Sequence, residues 1–347
     1  MSLTELLMQA KAKKSQEFLF VVGSEPRARS TTGWESLRKS PGLMTEWKLL
    51  QQSFLDDNQK TVLETTGAVV GETALENMRI GFSFFQHEST MKAIIDLDLD
   101  GSRFDMPLPG SYLETCLRMK GLVIVSGAGE SGQTGTLYKT MQKMGEEKSF
   151  MGVVFSTRPF PQMREEKSCF LYHNGIFASK DERDSLLNGV DVVVYDGASD
   201  DDSFLEAMAL AERGVFVIYS MRAPSLMNAL RRCLSVMTDR FDQHGSSRFA
   251  EVFSMGLGQY AMPGLGNDRV FAHELLLVKP QIRDFIERQE MTALQSVLTT
   301  APEHSGILTL NQSLLQHLIR RRVDLKTAFE TSRDPDHLDQ LLKKVGI

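Results

Sequence analysis

Gly121-Leu122-Val123-Ile124-Val125-Ser126 is an apolar run of strand length, and it leads into Gly127-Ala128-Gly129-Glu130-Ser131-Gly132-Gln133-Thr134. Helical spacing resumes near Gly135. A glycine-rich turn between a strand and a helix presents backbone N–H groups to an anion. The pattern G-x-x-x-x-G-K-[ST] adds a lysine for the outer phosphates and a hydroxyl for magnesium. Gly127, Gly132 and Thr134 fit that pattern, and Gln133 stands where the lysine belongs. Losing a charge-assisted contact removes about 1.5–3 kcal/mol, and Glu130 adds a like charge beside the place for phosphate oxygens. The expectation is a vestigial cradle formed by Gly127, Gly132, Gln133, Thr134 and Gly135, holding no cofactor, or ATP with magnesium only at low affinity. A ligand-free glycine-rich turn accounts for the loop equally well, so the rest of the chain must decide.

Such a loop needs a parallel sheet behind it. Apolar runs at 122–126, 152–156, 190–195 and 215–220 alternate with helical stretches, which predicts a mainly parallel α/β sheet. Residues 308–347 are helical in spacing and end on Leu338, Leu341 and Leu342. Upstream the pattern differs. It predicts a helix over 3–14, a strand over 17–23, a helix over 43–63, and an antiparallel pair at 78–85 and 91–99. Gly101, Pro107, Pro109 and Gly110 cluster between the halves and mark a boundary, giving domains 1–105 and 111–347.

At 347 residues, two domains of ordinary size are expected. With 41% hydrophobic and 24% charged residues the chain is globular in composition, and a net charge of −6 argues against a phosphate backbone as partner. Cys116, Cys169 and Cys233 are few and scattered, as expected of reduced thiols. The N-terminal residues lack a basic flank with a sustained apolar stretch, and no apolar run reaches bilayer length. A cytoplasmic location follows as an expectation, with membranes reached only through partners.

Further downstream, Val270-Phe271-Ala272-His273-Glu274-Leu275-Leu276-Leu277-Val278-Lys279-Pro280-Gln281-Ile282-Arg283-Asp284-Phe285-Ile286 resembles the segment R-V-A-A-H-E-I-M followed by P-A-I-R-N-L-I in the retraction ATPases of type IV pili, within the secretion motor ATPase superfamily. Residues 15–23 and 78–84 resemble that family's N-terminal strands, and Thr309-Leu310-Asn311 and Asp334-Pro335-Asp336 its C-terminal helices. The resemblance implies a PAS-like α+β domain followed by a RecA-like P-loop α/β domain, a ring of six, and nucleotide held between domains.

It also implies which residues should do chemistry, and these depart from it. The acidic box E-D-P-I-E is matched by Thr157-Arg158-Pro159-Phe160-Pro161, with Thr157, Arg158 and Pro161 standing where acids belong. The glutamate that ends the Walker B strand is replaced by Gly197, one residue after Asp196, a candidate magnesium ligand. Arg222 falls in the histidine box. Asp96 stands near the place of an N-terminal arginine that contacts nucleotide, with Arg79 a preserved basic contact. Gln133, Thr157, Pro161, Gly197 and Arg222 together remove positioning, charge neutralisation and water activation.

The resemblance and its departures imply a pseudo-ATPase acting as an interaction or regulatory module of pilus, twitching or gliding machinery, assembled with itself or with an active motor. One alternative is a weak magnesium ATPase using Asp196, with Lys139 or Lys143 in place of the missing lysine. Another is a sensor of a different nucleotide using Arg158 and Arg222. His273-Glu274 lacks the second histidine of a zinc protease. Arg231-Arg232 and Arg320-Arg321-Arg322 are basic clusters on helices.

Overall fold

In the computed structural model, residues 3–13, 15–30, 33–75, 78–97, 99, 106–163, 167–174, 180–198, 200–266, 269–302 and 305–346 are described. The boundary near 105, with Gly101, lies outside them, as do Lys14 and Asp98 at the ends of expected elements.

The chain forms two compact units. The first contains α1 (Leu3–Ala12), β1 (Glu17–Val21), β2 (Arg27–Ser30), β3 (Gly33–Ser36), α2 (Met44–Phe54), α3 (Asp57–Thr66), β4 (Ala68–Leu75), β5 (Met78–His87) and β6 (Thr90–Asp96). Its strands lie in the order β3-β2-β1-β6-β5-β4, every neighbour antiparallel. The sheet buries Phe18, Phe20, Phe82 and Phe84 against Trp47, Leu50 and Phe54 of α2. The single helix expected over 43–63 is two. Asp56 accepts from the Gln59 N–H at 2.8 Å while the Gln59 side chain accepts from the Asp56 N–H at 3.1 Å, and this reciprocal cap starts a second helix after Leu55.

The second unit contains α4 (Gly110–Cys116), β7 (Leu122–Gly127), α5 (Gln133–Glu147), β8 (Met151–Ser156), β9 (Cys169–Asn174), α6 (Lys180–Leu186), β10 (Val192–Asp196), α7 (Asp201–Glu212), β11 (Phe216–Arg222), α8 (Leu226–Phe241), α9 (His244–Val252), β12 (Phe253–Pro263), β13 (Arg269–Leu277), α10 (Pro280–Glu287), α11 (Met291–Thr300), α12 (Leu310–Ile319), α13 (Leu325–Thr331) and α14 (Pro335–Val345). The sheet order is β13-β12-β7-β11-β10-β8-β9. Strands β12, β7, β11 and β10 run parallel and β13 turns back antiparallel. The central strands are buried on both faces: every residue of β7 and β10 is buried, which is why they read as nearly unbroken apolar runs. Helix α5 starts at Gln133, two residues earlier than the spacing indicates.

One excursion escapes the sequence pattern. Ser156–Gln162, running on from the last residue of β8, belongs to the first unit rather than the second, as does Asn174 at the end of β9. Within that unit Arg158 lies 3.8 Å from Glu17, and Gln162 donates to Glu72 at 3.2 Å.

Candidate functional site

The loop after β7 stands at the carboxyl ends of parallel strands, where open α/β sheets bind ligands. Register places Gly127 level with Arg222 of β11 on one side and Gln259 of β12 on the other. A side chain at 127 would bring its Cβ within 2.1 Å of Ser131 Oγ and 2.9 Å of the Gln259 carbonyl, so only glycine fits. Gly132, at φ +83°, is the residue before α5, where a left-handed backbone favours glycine.

Gln133 does not reach outward as a phosphate lysine would. Its side-chain amide donates to the Val125 carbonyl at 3.1 Å and to the Met221 carbonyl at 2.8 Å, tying the ends of β7 and β11 together. Thr134 donates from Oγ1 to Asp196 Oδ2 at 2.9 Å, and Asp196 is 5% exposed at the end of β10. Gly135 is buried in the first turn of α5. Gly197 follows Asp196 with φ +72°; a glutamate there would adopt a strained backbone.

The loop is held from β12 and β13. Gln259 Nε2 donates to the Ser131 carbonyl at 2.6 Å, and its Oε1 accepts from Thr136. The ring of Phe271 lies 2.7 Å from where a Gly132 Cβ would be. Arg269 lies 3.6 Å from the carboxylate of Glu130, itself at φ +71°. The Ser131 N–H donates to the Ala128 carbonyl at 3.1 Å, and Ser131 Oγ is buried with no hydrogen-bond partner.

Nucleotide and magnesium fit this site unequally. A hydroxyl and a carboxylate at hydrogen-bond distance are the donor set that holds magnesium in P-loop proteins. The phosphate half does not fit. No lysine is present at 133, the Ser131 N–H is spent inside the loop, the Gln133 amide is spent on carbonyls, and Glu130 brings negative charge.

The other candidates divide. Arg222 is exposed at the level of Gly127, beside the loop. Thr157, Arg158 and Pro161 lie in the segment of the first unit, with Thr157 exposed, Pro161 buried and Arg158 paired to Glu17. Arg79 pairs with Glu72. Lys143 pairs with Glu146 and Glu147 along α5, and Lys139 lies about 9 Å along the helix axis from Gln133 at 1.5 Å per residue. Neither stands at the loop in the lysine's place. Gln259 escaped the sequence reading. Its signal was a lone polar residue in the glycine-alternating run Met255-Gly256-Leu257-Gly258-Gln259, a pattern of close backbone approach.

A parallel sheet with a glycine-rich loop between its central strand and a helix, preceded by a separate antiparallel sheet, defines the class: a RecA-like P-loop fold with an N-terminal domain, as in secretion motor ATPases. No protein-family model matches the sequence. Over 223 residues, 63% of the chain, it is 22% identical to the type IV pilus retraction ATPase PilT of Pseudomonas aeruginosa, and over 223 residues 23% identical to the twitching motility protein of Neisseria gonorrhoeae. The matches span 64% and 59% of those relatives' lengths. The crystal structure of the pilus retraction motor PilT with bound ADP superposes with a TM-score of 0.79 at 21% identity, covering 98% of this chain and 99% of that one. The Legionella pneumophila ATPase DotB superposes with a TM-score of 0.71 at 13% identity, covering 94% and 93%. The chain shares the fold of these ATPases and is similar in sequence to the pilus retraction ATPases.

Proposed function

We propose that this chain is a PilT-like pseudo-ATPase: a motor fold kept as an interaction or regulatory module for type IV pilus, twitching or gliding machinery. It works in the cytoplasm and assembles with copies of itself or with an active motor in a ring of six. The observation that carries this reading is the side chain of Gln133, which is spent on the Val125 and Met221 carbonyls where a motor needs a cation on phosphate. Gly197 and Thr157 leave no carboxylate at the positions of the two acids that the family resemblance assigns to catalysis.

The Thr134–Asp196 pair favours a second reading, a slow magnesium-dependent ATPase. Calorimetric titration with ATP and ADP, with and without magnesium, beside a phosphate-release assay separates the two. The pseudo-ATPase reading expects no turnover above the buffer blank. Magnesium-dependent turnover abolished by Asp196→Ala would overturn it.

A further inference from the structure

The strongest unassigned surface lies in the second unit, where the turn between α12 and α13 meets the segment that follows β12. The Leu265 N–H donates to the Arg322 carbonyl at 3.0 Å, fixing the two segments side by side. Val323, 3% exposed, anchors this turn in the same cluster as Met262 and Leu314. On that base stand large apolar side chains facing solvent: Leu265 is 60% exposed, Ile319 54% and Leu325 50%.

Arg320, Arg321 and Arg322 lie among them, all exposed, and among the described residues none has a carboxylate within ion-pair distance. The nearest carboxylate in sequence, Asp324, is spent capping α13, accepting from the Thr327 N–H at 2.7 Å. Arg321 has φ +52°, a left-handed backbone where glycine is the unstrained choice. An arginine held at the cost of strain, between two more that have no counter-ion among the described residues and beside exposed leucine and isoleucine, is organised for recognition rather than solubility.

We infer that this surface docks an acidic, leucine-bearing helical segment of a partner protein. Guanidinium forks bind carboxylates in pairs, and the exposed apolar side chains supply contact area that a purely ionic encounter lacks. Charge complementarity selects the partner, because the patch is basic on a chain of net charge −6. Three arginines fall short of the clusters of about four to eight that hold anionic membranes, and the overall charge disfavours nucleic acid. The inference does not rest on the nucleotide reading, since a hydrolysing chain would carry the same surface.

The test is fluorescence anisotropy on the full chain with labelled synthetic helices. One carries leucine on one face flanked by glutamate, a second has lysine for glutamate, and a third has serine for leucine. Only the first is expected to bind. The double variants R320E/R322E and L265S/I319S should each weaken it at least about tenfold with the melting temperature unchanged, and R320Q/R322Q serves if the charge reversal does not fold. Equal binding of the lysine helix, or indifference to these variants, overturns the inference. So does an arginine-dependent association seen only with phosphatidylserine–phosphatidylcholine vesicles, or only between copies of the chain in sedimentation.

Discussion

Glutamine is one bond shorter than lysine and carries no charge, and at 133 it makes the loop a structural tie rather than an anion trap. Its amide hydrogens satisfy two strand-end carbonyls, Val125 and Met221, and it contributes no charge. Restoring the charge should therefore restore binding without restoring catalysis. A charge-assisted contact stabilises by about 1.5–3 kcal/mol, so Gln133→Lys is expected to tighten magnesium–ADP binding at least about tenfold. Turnover should stay at background, because Gly197 and Thr157 still offer no carboxylate. Calorimetry and phosphate release on the same preparation check both halves. Measurable turnover in this single variant would mean that another group activates water.

The loop's shape is set by the elements around it. Gln259, wholly buried on β12, bridges the Ser131 carbonyl and the Thr136 hydroxyl, so it pins the loop to the first turn of α5. Gln259→Leu keeps the volume and removes both hydrogen bonds, leaving a buried carbonyl and a hydroxyl to be satisfied elsewhere. A loss of about 1–3 kcal/mol in urea unfolding is expected; a change below a few tenths would show that the bridge carries no weight. The loop itself was legible because its glycines and its missing lysine are contiguous. Its clamps were not: Gln259, Arg269 and Phe271 lie far downstream, and only the pairing of β12 with β7 brings them to Gly127. The same contrast runs through the fold. Buried parallel strands such as β7 and β10 announce themselves as apolar runs, whereas β2 and β3 are four residues each, mostly polar, and glycine interrupts β12. The break after Leu55 was visible as Asp56 followed by Gln59, a capping pair overridden by the continuing apolar spacing. The return of Ser156–Gln162 to the first unit has no local signal, since it depends on partners such as Glu17 and Glu72 that are remote in sequence.

At the scale of the whole molecule, the response to acid follows from ionisable groups shut inside the second unit. His273 is 5% exposed with Nε2 unpartnered, and burial, reinforced by His317, lowers its pKa from 6.5 to about 4. The folded state thus refuses a proton that the unfolded chain accepts. The stability this contributes is present above pH 6.5 and is lost as pH falls toward 4; a displacement of that size corresponds to about 3 kcal/mol. The neighbouring Glu274, bonded to the Tyr260 hydroxyl at 3.1 Å, works in the opposite sense. Burial raises its pKa, so its contribution is present at low pH and fades as pH rises above the ordinary carboxylate range. The two slopes oppose each other in mildly acidic solution, and the parent chain should show a shallower profile there than His273 alone dictates. His273→Gln removes one slope and leaves the other. Urea unfolding of parent and variant across pH 4 to 7 should show the variant losing about 3 kcal/mol less than the parent on acidification, and parallel profiles would mean that His273 takes up its proton without unfolding the chain.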